Sequence, residues 1–153
     1  MSDPLALDRQ VCFAVVAASR SVVGVYRPIL EPLGLTHPQY LVMLALWESS
    51  PMRVKDLGDR LLLDPATLSP LLKRLEKQGL VVRRRDPDDE RALALELTPA
   101  GVELRRRAER VPGLVVERLG LTIDELEGIR DAVTTLLESS RAAVSRPEGR
   151  AAV

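Results

Sequence analysis

Apolar positions recur at three- and four-residue intervals through most of this chain and alternate at a two-residue period only once. The first helical stretch begins near Pro4, with Ser2 or Asp3 as cap and proline in the first position, where its missing N–H does no harm. It should end at Tyr26 or Arg27, because Pro28 disfavours helix at the residue before it. A proline-punctuated connection, PILEPLGLTHP, follows. Thr36 then caps PQYLVMLALWES, which is apolar nearly all round and therefore expected to be buried. Pro51 separates it from VKDLGDRLLL, whose Val54, Leu57 and Leu61 share one face. After a break at Asp64-Pro65 comes ATLSPLLKRLEKQG, with Leu68, Leu71, Leu72 and Leu75 in register. Beyond Gly79, the β-like runs LVVRRR and ALALELT flank the polar tip DPDDER. Thr98 caps another helix with Pro99 at its first position, interrupted near Pro112-Gly113. Thr122 opens a last one, with Glu125 three residues on as a capping box. Leu126, Ile129, Val133, Leu136 and Leu137 form its stripe, and residues 146–153 read as a disordered tail.

The order is four helices, two strands and two helices, without internal repeat. The fold class is mainly α with a small β-hairpin. Residues 51–98, two short helices followed by a charged hairpin, have the layout of a winged helix-turn-helix. Residues 1–50 and 99–145 carry long amphipathic helices whose stripes exceed what so small a core can cover. A helical dimerisation region, with a second copy of the chain as partner, accounts for them; folding back on their own domain is the alternative.

Charge sharpens the layout. The 153 residues have no net charge, but residues 53–85 hold nine basic side chains against four acidic ones, a local +5. The flanks come to −1 and −4. A positive patch on a neutral chain suits neutralising phosphates, and double-stranded DNA is the partner this layout implies. The helix beginning at Pro65 would present Pro65, Ala66, Thr67, Ser69 and Pro70 in its first turns, small enough to sit deep in a major groove. Lys73 and Arg74, one turn on, would reach the backbone or a guanine edge. In the hairpin, Arg83, Arg84 and Arg85 climb toward the tip and Arg91 stands on its far side, placed to enter a minor groove. Asp89 could hold the Arg91 guanidinium in a bidentate pair. The plain alternatives are an ordinary helix with small residues at its start and a solvated hairpin with a surface salt bridge.

No unbroken apolar run approaches the ~20 residues of a membrane span, and the N-terminus lacks the basic and apolar regions of a signal peptide. The cytoplasm is the expected compartment, with no membrane partner. Cys12 is the one cysteine, which leaves neither an internal disulfide nor a multi-cysteine metal site. No metal or cofactor is expected, and nothing in the sequence assembles an enzyme's catalytic cluster.

The segment LDPATLSPLLKRLEKQGLVVRRRDPDDERALALELTPAG resembles the core of the multiple-antibiotic-resistance regulator (MarR) family. LDRQVCFAVVAASR, YRPILEPLGLTHPQYLVMLALWE and VPGLV narrow the resemblance to its organic-hydroperoxide-resistance subgroup (OhrR), in the one-cysteine form, over nearly all of residues 5–140. The resemblance implies a homodimeric repressor on a pseudo-palindromic operator, with an organic hydroperoxide as inducer and release upon cysteine oxidation.

Alone, a cysteine in an apolar helix is more often a small buried hydrophobe than a reactive thiol. The resemblance gives Cys12 the sensing role. The sulfenic acid formed there would be capped by a small thiol, cyclise with a backbone nitrogen or overoxidise, since the chain has no resolving cysteine. In the subgroup two tyrosine hydroxyls contact the cysteine. Tyr26 matches the first; His37 stands at the second, as a substitute donor or merely a helix-start residue. Cys12 and Tyr26 lie 14 residues apart in one helix, about 21 Å along its axis, so they cannot touch within one chain. If Tyr26 and His37 serve Cys12, they come from the other subunit. Three rivals remain: a regulator answering to a small aromatic or anionic ligand with Cys12 incidental, a thiol peroxidase, and an architectural DNA binder.

Overall fold

The computed structural model describes residues 3–146; Met1, Ser2 and residues 147–153, and with them the expected Ser2 cap and nearly all of the expected tail, lie outside the described residues. Seven helices and a three-stranded sheet follow in the order α1 (Val11–Leu30), α2 (His37–Glu48), β1 (Met52–Arg53), α3 (Val54–Leu61), α4 (Pro65–Lys77), β2 (Val81–Arg85), β3 (Leu93–Leu97), α5 (Pro99–Ala108), α6 (Val111–Leu119) and α7 (Ile123–Ser145).

The first helix starts seven residues later than its sequence signals suggest. Asp3 turns its carboxylate onto the Leu5 N–H at 2.9 Å, and Leu7–Arg9 form a single 3-10 turn before α1 opens at Val11. Nor does α1 stop at Pro28. The proline forfeits only the bond to the Gly24 carbonyl, and running on to Leu30 buries Ile29 and Leu30. The 23-residue segment Val11–Leu33 is long and apolar enough to cross a bilayer by length and composition alone. This corrects the expectation that no apolar run approaches such a length: Arg20 and Arg27 interrupt the segment but leave it apolar on average.

The expected hairpin is present, with Val81 opposite Leu97 and Arg85 opposite Leu93. A third strand, β1, joins it: Met52 and Arg53 pair with Leu95 and Ala94, giving the order β1-β3-β2. Thr36 caps α2 through a reciprocal box with Gln39. The helix is not buried all round, however: Val42, Met43 and Leu46 are sealed, whereas Leu41 and Leu44 face outward. The break between α5 and α6 falls at Glu109–Arg110, and Pro112 sits in the first turn of α6, where proline is tolerated.

The chain divides into two compact units, Met1–Val115 and Val116–Val153. In the first, α2 packs on α1, α3, α4, β3 and α5, so that Leu30, Met43, Leu46, Leu57, Leu72, Leu75 and Leu95 form one sealed core. Packing therefore does not divide at Pro51, where the sequence layout places the start of the winged helix. The second unit is dominated by α7, opened by the Thr122–Glu125 capping box. Ile129, Val133 and Leu137 are exposed along it.

Candidate nucleic-acid interface and sensor pocket

Asp64 starts α4 by accepting the Thr67 N–H at 2.7 Å, and these bonds from Thr67 hold its carboxyl below the usual range. Leu68, Leu71, Leu72 and Leu75 are buried on one face of α4. The opposite face is thereby committed to solvent: Pro65, Ala66, Thr67, Pro70, Lys73 and Arg74 are exposed and Ser69 is half-buried. Gly79, with φ of 73°, closes the helix, and the Leu80 N–H returns to the Leu75 carbonyl at 3.1 Å.

The four hairpin arginines have three kinds of surroundings. Arg83 turns inward to Glu76 of α4 at 3.0 Å, with a side chain only about a quarter exposed, and braces the sheet against the helix. Arg84 pairs across the strands with Glu96 at 2.8 Å and stays largely exposed. Arg85 and Arg91 are exposed and, among the described residues, make no ion pair. The expected Asp89–Arg91 side-chain pair is not formed. Asp89 instead accepts the Arg91 main-chain N–H at 3.0 Å, a bond that shapes the turn and leaves the guanidinium unattached.

Asp86, which the sequence reading passed over, organises the tip. It is 8% exposed, its Oδ1 accepts the Asp88 N–H at 2.8 Å, and its N–H donates to the Ala92 carbonyl at 2.9 Å. Its Oδ2 accepts Arg53 Nε at 2.6 Å, and the guanidinium of Arg53 holds the carboxyl below the ordinary carboxylate range. Arg53 immediately precedes α3, so this pair ties the tip to the helix-turn-helix. An aspartate at the end of an arginine run is the only local signal, and its partner lies 33 residues away.

Tyr26, near the C-terminal end of α1, and His37, the first residue of α2, come together with ring centroids 4.9 Å apart, edge to face. Tyr40 stands 5.9 Å from Tyr26, and Trp47 follows 6.4 Å from Tyr40. Trp47 Nε1 donates to the Gly101 carbonyl at 2.9 Å, so this aromatic row reaches α5. Burial raises the Tyr26 hydroxyl's pKa and lowers that of the His37 imidazole. Beside His37 opens a cavity of about 510 Å³, walled by Val23, Arg27, Leu35 and Pro38. Cys12 is elsewhere: it is the second residue of α1 and exposed. One continuous helix separates it from Tyr26 by about 21 Å. Val11, Phe13 and Val16 surround it on the surface, and all three are exposed.

A sequence model of the MarR family matches residues 35–93. The organic hydroperoxide resistance transcriptional regulator of Bacillus subtilis is 40% identical over 137 residues, 90% of this chain and 93% of its own length. The HTH-type transcriptional regulator TtmR of Methylorubrum extorquens is 43% identical over 95% of this chain and 75% of its own. Among solved structures, reduced and overoxidized AbfR, each bound to DNA, superpose with a TM-score of 0.70 at 34% identity, covering 87% of this chain and 93% of theirs.

Proposed function

This chain belongs to the MarR family of transcriptional regulators, and from that premise we propose that it is a homodimeric, DNA-binding repressor released by oxidation of Cys12 with an organic hydroperoxide. The observation that carries the reading is the placement of Cys12 and Tyr26 at opposite ends of one unbroken helix, with His37 against Tyr26. The exposed apolar surface of α1 around Cys12 suits cover by a second copy, which would bring its own Tyr26–His37 pair to the thiol. The same cover accounts for a helix apolar enough for a bilayer in a protein whose work is on DNA, in the cytoplasm.

In the sensing step the Cys12 thiolate attacks the terminal peroxide oxygen. A sulfur–oxygen bond forms as the oxygen–oxygen bond breaks, and the alkoxide leaves and takes a proton as the alcohol. Sulfur loses two electrons and the peroxide gains them. A small thiol can then condense with the sulfenic acid, releasing water and leaving a mixed disulfide. In such a dimer, Tyr26 and His37 of the second copy would donate the hydrogen bonds that favour the thiolate. His37 acts as a neutral donor near pH 7, because burial lowers its pKa. On the DNA side, the open face of α4 enters the major groove, while Arg85 and Arg91 follow the backbone and the adjacent minor groove.

Binding of a duplex with and without cumene hydroperoxide, wild type against Cys12→Ser, tests the reading, with the thiol followed by mass spectrometry. Wild type should release and gain one oxygen, and the variant should stay bound. A second reading, a regulator answering to a small aromatic anion, is favoured by the cavity that Arg27 and His37 line. Under it the serine variant keeps its response to the ligand and wild type ignores peroxide.

A further inference from the structure

Between the sensor pocket and the recognition helix runs one continuous polar connection, built from two glutamines 39 residues apart. Gln39 is 3% exposed and lies two residues beyond His37. Its Oε1 accepts the Thr36 N–H at 2.9 Å, and its Nε2 donates to Gln78 Oε1 at 3.1 Å. Gln78 is the residue that ends α4, and its own Nε2 donates to the Gly34 carbonyl at 2.7 Å. The circuit therefore closes: Gly34 to Gln78, Gln78 to Gln39, Gln39 to Thr36, and back along the chain to Gly34. The turn immediately before His37 is bolted to the C-terminal end of the helix that faces DNA. Gly34, Thr36 and His37 also wall the cavity beside the pocket.

We infer that the Gln39–Gln78 pair is the coupling element through which displacement at the Tyr26–His37 pocket reaches the recognition helix. The inference rests on the proposed redox function and goes beyond it by naming the residues that transmit the signal. The other buried side chains of α4 are Leu68, Leu71, Leu72 and Leu75, and apolar packing of this kind has little directional preference. Amide hydrogen bonds are directional. A shift of the His37 turn must either carry Gln78 with it or strand a buried amide, and a stranded buried donor is costly. Moving with the turn is the cheaper response, and it reorients α4 from its C-terminal end. Both glutamines are positioning residues: neither lies on the open face of α4.

The test uses the full chain and a duplex selected from a random-sequence pool by the reduced wild-type protein. Affinity is measured by fluorescence anisotropy for the reduced form and for the form oxidised with cumene hydroperoxide. Two variants break the circuit at different points. Gln78→Leu removes an exposed side chain and both of its bonds. Gln39→Glu keeps the acceptor that caps α2 and removes the donor to Gln78. Wild type should lose at least about tenfold in affinity on oxidation. Each variant should bind in the reduced form within about threefold of wild type, yet lose at least about threefold less on oxidation. A ratio of oxidised to reduced affinity equal to that of wild type in Gln78→Leu, whatever its absolute affinity, overturns the coupling role and leaves the redox function standing. A wild-type ratio of one overturns the redox function and the coupling with it. Thermal unfolding of each variant confirms the fold, and Gln78→Leu decides alone should Gln39→Glu fail to fold.

Discussion

Arg53 Nε meets Asp86 Oδ2 at 2.6 Å, joining the residue that opens α3 to the residue that opens the tip of the hairpin. The hairpin's direction relative to the recognition helix is therefore fixed at two points, mid-strand by Arg83 on Glu76 and at its tip by this pair. Asp86→Asn should weaken DNA binding by about the same factor as Arg91→Ala, roughly tenfold. The double variant should lose little more than either single one, because the first change already misdirects the arginine. Additive losses in this cycle would show that Asp86 acts by another route. The pH dependence follows from the same contact. A carboxyl whose folded pKa is depressed contributes stability above its unfolded value, about 3.9, and loses it as pH falls through the folded value. Acid unfolding of Asp86→Asn should thus be shallower below about pH 4 than that of wild type.

Gly101 is held where no side chain fits. A Cβ there would stand 2.2 Å from the Leu80 carbonyl oxygen, a main-chain atom in the link between α4 and β2. Gly101→Ala should cost about 1–3 kcal/mol, from forced backbone movement. A fall of several degrees in Tm checks it, and an unchanged Tm would mean that α5 moves away freely.

His37 is the chain's only histidine, so its imidazole resonances report alone. Burial lowers its folded pKa, so between that value and the unfolded one, about 6.5, the unfolded chain binds more protons. Stability is therefore full above about pH 6.5 and declines as pH drops, levelling at the folded value. NMR titration should find a midpoint below 6.5, and His37→Gln should remove this step from the stability profile. A midpoint above 6.5 would contradict the burial.

Val16 lies on the exposed apolar surface of α1, one turn from Cys12. Val16→Glu should leave the monomer fold intact and prevent self-association, since burying a lone carboxylate in an apolar interface costs several kcal/mol. Light scattering at micromolar concentration checks it: the variant's mass should be half that of wild type, and equal masses would place the interface elsewhere.

The parts of the fold legible in the sequence are those whose signals are local. Thr36, Thr98 and Thr122 each cap the helix expected of them, because a cap is decided within three residues. At both ends of α1 competing interactions override the local proline signal. Burial of Ile29 and Leu30 carries the helix past Pro28, and the bond from the Leu5 N–H to Asp3 competes with a helical start at Pro4. Strand β1, two residues long, is too short to show a period. The open face of α4 was legible because four leucines define its opposite. Asp86 with Arg53 and Gln39 with Gln78 were not, since each pair joins residues more than 30 positions apart and neither partner is unusual where it stands.

The pairing of arginines in the basic segment sets how the protein should respond to ions. Of the nine cationic side chains between residues 53 and 85, Arg53, Arg60, Arg83 and Arg84 are already neutralised by carboxylates. Among the described residues, Lys55, Lys73, Arg74, Lys77 and Arg85, with Arg91 beyond them, are left to displace counterions from DNA. Six such groups limit the slope of log affinity against log salt to about −5 per protomer, where nine in the segment plus Arg91 would allow about −9. The internal ion pairs thus make the grip on DNA more tolerant of changing ionic strength than the charge of the segment suggests.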